Sequence, residues 1–276
     1  MTKRVPKIIL DRSIFHGDKF GQLQSSKLAL LASAGRIQVY YTPLFLEESL
    51  RHGVLGAKNF GNQMAYIFGL NSKNWFKLSD AIFESELDQS APVENYHMIA
   101  REDIERTIMG TEEFLQGLVS SQEIDQALNE TRSNRQGHEK LRSLRLEMRQ
   151  TLGRTDVGFE DYMNSDGEFY LENGIIQNLK SPEKAREKWN RDRESCPFTL
   201  SYLRAWLAIP FLSQSDHQLK LHPNDLNDSI QLAYLLWADV MISDDRFMKT
   251  ACNVLYPNGG KKCMDLPELI EFMKAL

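Results

Sequence analysis

The chain has 276 residues, 42% of them hydrophobic and 26% charged, and a formal net charge of −5. That is a globular composition, sufficient for one large domain or two ordinary ones, and it excludes intrinsic disorder and collagen-like or linker-like material. Three cysteines (Cys196, Cys252, Cys263) without metal-ligand spacing argue against structural zinc and a disulfide framework, and the acidic balance gives no global attraction to nucleic acid.

The basic start, Met1 to Pro6, leads into an apolar run too short for a signal peptide, Lys7-Ile-Ile-Leu-Asp11, which reads as a buried parallel strand ending in an acid. Ser25 to Ala34 carries Leu28, Leu31 and Ala32 on one stripe and is predicted as a helix, with Gly35 at its C-terminus. Arg36 to Tyr41 alternates and is predicted as a strand. Thr42-Pro43 then opens a helix bearing Glu47, Glu48, Leu50 and Arg51, with the threonine as N-cap.

Residues from about 61 to 215 look largely helical. Ser120 and Glu123 have capping-box spacing, and His138 to Leu152 puts Leu141, Leu144 and Met148 on one face. Gly153 to Gly174 is polar and glycine-punctuated, so a loop or ribbon is expected there. Ser181-Pro182 opens a charged helix around Trp189, and Thr199 to Leu212 is apolar nearly all round, as a buried helix would be. This run carries Arg204 and Pro210 and falls short of the ~20 residues that span a bilayer, so no membrane partner is expected and a cytoplasmic location is. Asn224 to Asp228 opens a helix through Trp237, Asp239 to Ser243 forms a short strand followed by Asp244 and Asp245, and Asp265-Leu-Pro-Glu268 starts a terminal helix. Strands at both ends of the chain, around a helical middle, predict one sheet assembled from the termini.

Four acids fall where strands end or helices begin: Asp11, Glu48, Asp228 and Asp245. From Asp228 about ten helical residues advance ~15 Å, and the strand returns ~17 Å, so Asp245 comes back to the end of the sheet where Asp228 began. Ligands of parallel sheets bind beyond the carboxyl ends of the strands. Converging carboxylates repel unless a cation is present, and an oxygen donor set without His or Cys suits Mg²⁺ or Mn²⁺. Such a metal lowers the pKa of a bound water and steadies the phosphate during phosphodiester hydrolysis. Glu47 is open as an alternative to Glu48, Asp244 as a partner or substitute of Asp245, and Asp225 as an additional ligand. Each acid also has an ordinary structural reading as a cap, turn or solvated residue.

The strand Ile8-Ile-Leu-Asp11-Arg-Ser13 resembles the opening of PIN-domain proteins. Val39-Tyr-Tyr-Thr-Pro43 through Glu48, Asp228-Ser-Ile-Gln-Leu-Ala233 and Val240-Met-Ile-Ser243-Asp-Asp245 are similar to that family's later motifs, in the same order. The resemblance implies an α/β, PIN-like central parallel sheet flanked by helices, with residues 1–60 and 216–276 as the core and 61–215 as a mainly helical segment, partly core helices and partly insertion. It implies a Mg²⁺- or Mn²⁺-dependent nuclease, most often acting on RNA, with Asp11, Glu48, Asp228 and Asp245 holding the metal and Ser13 and Ser243 supporting them. The gap of some 180 residues between Glu48 and Asp228 departs from a compact PIN domain. An antitoxin-like protein partner and a homodimer stay open, as does a catalytically silent PIN-fold module that binds RNA or protein. A phosphatase is weaker, because Asp11-Arg-Ser13 lacks the second Asp of an Asp-x-Asp loop.

Arg142, Arg145 and Arg149, flanked by Arg132, Arg135 and Arg154, form a basic stripe suited to RNA phosphates, with a solvated helix face as the alternative. Trp75, Trp189, Trp206 and Trp237 are expected in the core rather than as base-stacking platforms, and His16 as a loop residue without a catalytic role.

Overall fold

A computed structural model describes residues 4–54, 59–70, 73–88, 96–117, 120, 122, 158–215 and 225–276, the side chains of 51–54, 213–215 and 225–227 excepted. Glu123, the helix expected at His138–Leu152, and Arg132, Arg135, Arg142, Arg145, Arg149 and Arg154 lie outside the described residues.

Four short parallel strands form the sheet: β1 (Lys7–Leu10), β2 (Gln38–Tyr40), β3 (Val240–Ile242) and β4 (Lys262–Met264), in the spatial order β2-β1-β3-β4. Ile8 pairs with Val39 on one side and Val240 on the other, and Met241 pairs with Cys263. A parallel bridge from Tyr41 to Trp75, then an antiparallel one from Phe76 to Met98, extend the sheet beyond β2. Ile8, Ile9 and Leu10 are fully buried, as befits a central strand covered on both faces; each is worth about 1.5–3 kcal/mol relative to exposure. The edge strand β4 was not predicted, because Lys262-Cys-Met carries no apolar run; its exposed lysine suits an edge.

Side chains alternate across the strands and divide the core into two layers. Ile8, Leu10, Val39, Tyr41, Val240 and Ile242 face one layer, built from α1 (Asp18–Ser25), α2 (Leu28–Ser33), α3 (Pro43–Val54), α4 (Phe60–Leu70), α6 (Arg101–Leu115) and the terminal α12 (Leu266–Lys274). Ile9, Tyr40 and Met241 face the other, which holds α5 (Ser79–Phe83), α7 (Phe159–Tyr170), α8 (Pro182–Arg191), α9 (Pro197–Ser215) and α11 (Arg246–Leu255), with the 3-10 turn Leu232–Leu236 that follows α10 (Asp225–Gln231). The described part of the 61–215 segment therefore supplies core helices to both layers. No described helix is long and apolar enough to cross a membrane.

Several predicted elements have different bounds. The helix expected over Ser25–Ala34 is the shorter α2, and α1 before it was not predicted; Ser26 Oγ donates to the Leu23 carbonyl (2.6 Å) and accepts the Leu28 N–H (3.2 Å), ending one helix and starting the other. Gly35 follows with φ +66°, the left-handed position glycine favours. The helix expected through Trp237 tightens to a 3-10 turn after Gln231.

The loop or ribbon expected at Gly153–Gly174 is, in its described part, helix α7 running into a π-helical turn, Leu171–Ile175. Its buried face, Tyr162, Met163, Asp166, Gly167 and Tyr170, has helical spacing that the polar residues between obscured. Gly174 is required there: a Cβ would lie 2.2 Å from Trp206 Cη2. Helix α9 is buried through Phe198–Leu212 much as expected, and Glu86 accepts the N–H groups of Phe198 and Thr199 (2.8 Å each) at its start. Trp75, Trp189 and Trp206 are buried in the core, while Trp237 is half-buried against it.

Candidate functional site

Strand order reverses at β1: the chain moves from β1 to β2 on one side and from β3 to β4 on the other. The crevice between β1 and β3, at their carboxyl ends, is thus the topological switch point. Asp11 sits there, only 6% exposed, and its N–H donates to the Ile242 carbonyl at 2.9 Å.

The Asp11 carboxylate is held by donors. Ser13 Oγ (2.5 Å), Ser243 Oγ (2.8 Å) and the Ser13 N–H (3.2 Å) donate to Oδ2. Gln231 Nε2 donates to Oδ1 at 3.3 Å. Each serine oxygen in turn accepts a backbone N–H: Asp244 to Ser13 (3.0 Å) and Asp245 to Ser243 (3.1 Å). Those N–H groups occupy the hydroxyl oxygens and leave both hydroxyl protons for Asp11. Ser13 and Ser243 thus both bond the Asp11 carboxylate.

The other acids differ in what occupies them. Asp245 caps α11, its Oδ1 accepting the Phe247 N–H at 2.6 Å, which leaves Oδ2 without a partner among the described residues. Asp244 is committed elsewhere: Oδ2 pairs with Lys19 at 2.6 Å and Oδ1 accepts the Leu266 N–H at 3.2 Å. The bonds of Asp244 leave Asp245 the better candidate of the two.

Glu48 is half-buried on α3, where Thr42 caps the helix by accepting the Phe45 N–H (3.3 Å). The carboxylate bears on Arg12, the residue after Asp11, more strongly than Asp11 itself does. Glu48 therefore lies within electrostatic reach of the residue next to Asp11, and Glu47 is half-buried beside it on the same helix. Asp228 is half-buried one turn before Gln231, on the same side of α10. Asp225 opens that helix, with its side chain outside the described part.

Sequence reasoning missed Arg12, Gln63, and the site role of Gln231 and Thr42. Arg12 is 4% exposed, donates from Nη2 to Gln63 Oε1 (2.6 Å), and has no partner for Nε or Nη1 among the described residues. Burial holds its pKa below the ordinary value, with Glu48 and then Asp11 pulling the other way. Desolvation, followed by the Arg12 charge, holds the exposed His16 imidazole below its usual value against the pull of Asp11. The i, i+3 spacing of Asp228 and Gln231 was the signal available for Gln231.

Among the described residues, no group of three or more His, Cys, Asp or Glu side chains stands close enough to hold a metal ion. The carboxylates of Asp11 and Asp245 are oxygen donors, which suits a hard cation that keeps much of its water and takes one or two carboxylates. Asp11 Oδ1 and Asp245 Oδ2, the least engaged oxygens of their carboxylates, fit that role. No protein-family model, curated protein or solved structure matches the chain.

Proposed function

We propose that this protein is a PIN-like, Mg²⁺- or Mn²⁺-dependent ribonuclease whose reaction centre is the crevice between β1 and β3. The observation that carries the reading is the placement of Asp11: a buried carboxylate at the topological switch point, fixed by four donors and keeping Oδ1 lightly engaged. Asp11 and Asp245 would hold the metal, with Glu48 and Asp228 completing its surroundings through water. A divalent cation bound there supplies an activated water and offsets the charge of the phosphodiester. The chain's own part is to hold Asp11 rigid through Ser13 and Ser243, and to keep a cation, Arg12, behind the acids. RNA as substrate rests on the family resemblance; Arg142, Arg145 and Arg149 are the proposed phosphate contacts.

The test compares purified wild type with Asp11→Asn and Asp228→Asn on RNA, single- and double-stranded DNA and a generic phosphoester, with Mn²⁺ and with chelator. Asparagine at position 11 keeps an acceptor for the serines, and the Gln231 amide can turn to meet the new NH₂, so the fold is expected to survive. Metal-dependent RNA cleavage, lost in both variants, is the expected result; cleavage by Asp11→Asn at the wild-type rate overturns the assignment. A second reading, a catalytically silent PIN-fold module that binds RNA or protein, is favoured by the lack of such a metal-holding group among the described residues. RNA binding without cleavage in any metal selects it.

A further inference from the structure

Gln231 is 1% exposed and joins elements that carry three of the candidate acids. Its Oε1 accepts the Thr42 hydroxyl at 2.7 Å, and its Nε2 donates to Asp11 Oδ1 at 3.3 Å. Thr42 is fully buried and caps α3, the helix of Glu48; Gln231 itself ends α10, the helix of Asp228; Asp11 ends β1. The network also fixes which way the amide faces. Thr42 Oγ1 already accepts the Phe45 N–H, so its own proton is free for an acceptor. Turning the amide around would set Oε1 against Asp11 Oδ1, acceptor against acceptor, in a site without exposed surface to relieve it.

We propose that Gln231 is a positioning residue of the acidic crevice, its amide transmitting the Thr42 hydroxyl to Asp11 and holding the Glu48 helix, the Asp228 helix and the end of β1 in one register. The inference rests on the metal-dependent reading above. Groups that orient a metal-binding carboxylate typically contribute about 10–100-fold to metal affinity or activity. Gln231→Met keeps the volume and removes both hydrogen bonds; Thr42→Val keeps the shape and removes the hydroxyl; Thr42→Ser keeps hydroxyl and cap.

Mn²⁺ affinity by calorimetry, and kcat and KM for RNA cleavage, are measured for these variants and for the Thr42→Val/Gln231→Met double variant. Each of Gln231→Met and Thr42→Val is expected to weaken Mn²⁺ binding and lower kcat by about 10–100-fold. The double variant should lose no more than the worse single one, because the two act as a unit. Thr42→Ser should recover most of the loss, which a mere packing role for Thr42 would not require. Wild-type kcat and Mn²⁺ affinity in Gln231→Met, or losses that multiply in the double variant, overturn the proposal.

A urea-denaturation cycle between Thr42→Val and Asp11→Asn, metal-free and without RNA, decides the relay independently of activity. The two residues share no bond except through Gln231, so their coupling should be present in the Gln231 background and absent in Gln231→Met. Wild type without metal-dependent cleavage removes the nuclease reading while this cycle still tests the relay, and additive stabilities in the Gln231 background refute the relay alone.

Discussion

Acid should destabilise this fold through His97. The imidazole lies flat on Trp237, with centroids 4.0 Å apart and planes 7° from parallel, and its Nδ1 is buried without a hydrogen-bond partner among the described residues. Desolvation, then the charges of Lys7 and Lys77, lower its pKa from 6.5 to about 4. Above pH 6.5 both folded and unfolded chains carry a neutral ring, so it has no effect. Between about 6.5 and 4 only the unfolded chain takes up the proton, so stability falls as pH falls. Below about 4 both states are protonated and the loss levels off. The interval from 6.5 to about 4 corresponds to about 3.4 kcal/mol at 1.36 kcal/mol per pH unit. The ring is only partly buried and solvent screens the two lysines, which reduces the expectation to about 2 kcal/mol. His97→Phe keeps an aromatic ring on Trp237 and removes the titration. Urea denaturation of both proteins at pH 7.5 and pH 4, followed by tryptophan fluorescence, isolates the effect from other acid-titrating groups. Wild type should lose about 2 kcal/mol more than the variant across this interval. Parallel losses in the two proteins would refute the argument that the buried neutral ring is what acid attacks.

Gly174→Ala forces a methyl group into the buried Trp206 indole, 2.2 Å from Cη2, and should cost about 3 kcal/mol or more. Calorimetry should show a Tm lower by roughly 6–12 °C, and an unchanged Tm would mean that the π-helical turn yields freely. Asp245 is expected to have separable roles as cap and ligand. Asp245→Asn keeps the cap on α11 and should stay within about 0.5 kcal/mol of wild type, whereas Asp245→Ala should lose about 1 kcal/mol. Both should lose metal-dependent cleavage, and full cleavage by Asp245→Asn would leave the residue as a cap alone.

The sheet was legible where burial is continuous and illegible where it is not. Ile8-Ile-Leu and Val240-Met-Ile announce themselves as buried strands, and their parallel pairing follows from helical crossovers. β4 is an exposed edge with a lysine and a cysteine, so no hydrophobic period marked it. Helix α7 was hidden because its burial depends on a stripe of Tyr and Met set among Asn, Ser, Asp and Gly, a composition that locally favours turns. At the site, strand-end position pointed to Asp11 and Ser243, which the fold brings within hydrogen-bond distance. It did not separate Asp244 from Asp245, because the distinction rests on Lys19 and Leu266, remote in sequence and next to Asp244 only in the fold. Arg12 was passed over for a related reason. A charged residue beside a strand-end acid reads as solvated until α4 brings Gln63 over it.

The two short motifs, Asp11-Arg-Ser13 and Ser243-Asp-Asp245, are mirror arrangements of the same device. In each, a side-chain oxygen accepts the N–H two residues on, Asp11 from Ser13 and Ser243 from Asp245, which turns the chain sharply as it leaves its strand. The turns then interlock: Ser13 accepts the Asp244 N–H from the neighbouring strand's loop, and Ser243 donates across to Asp11. A hydroxyl is the only small group that can accept from the backbone and donate to a carboxylate at once, so alanine or valine at either position would leave a partly buried N–H unmet and Asp11 under-supported. That double demand explains why polar residues end two otherwise apolar strands. The bonds that orient Asp11 are also the bonds that join the ends of β1 and β3. In the metal-dependent reading proposed above, a carboxylate held in this way would meet a cation with little reorganisation, the condition for electrostatic preorganisation.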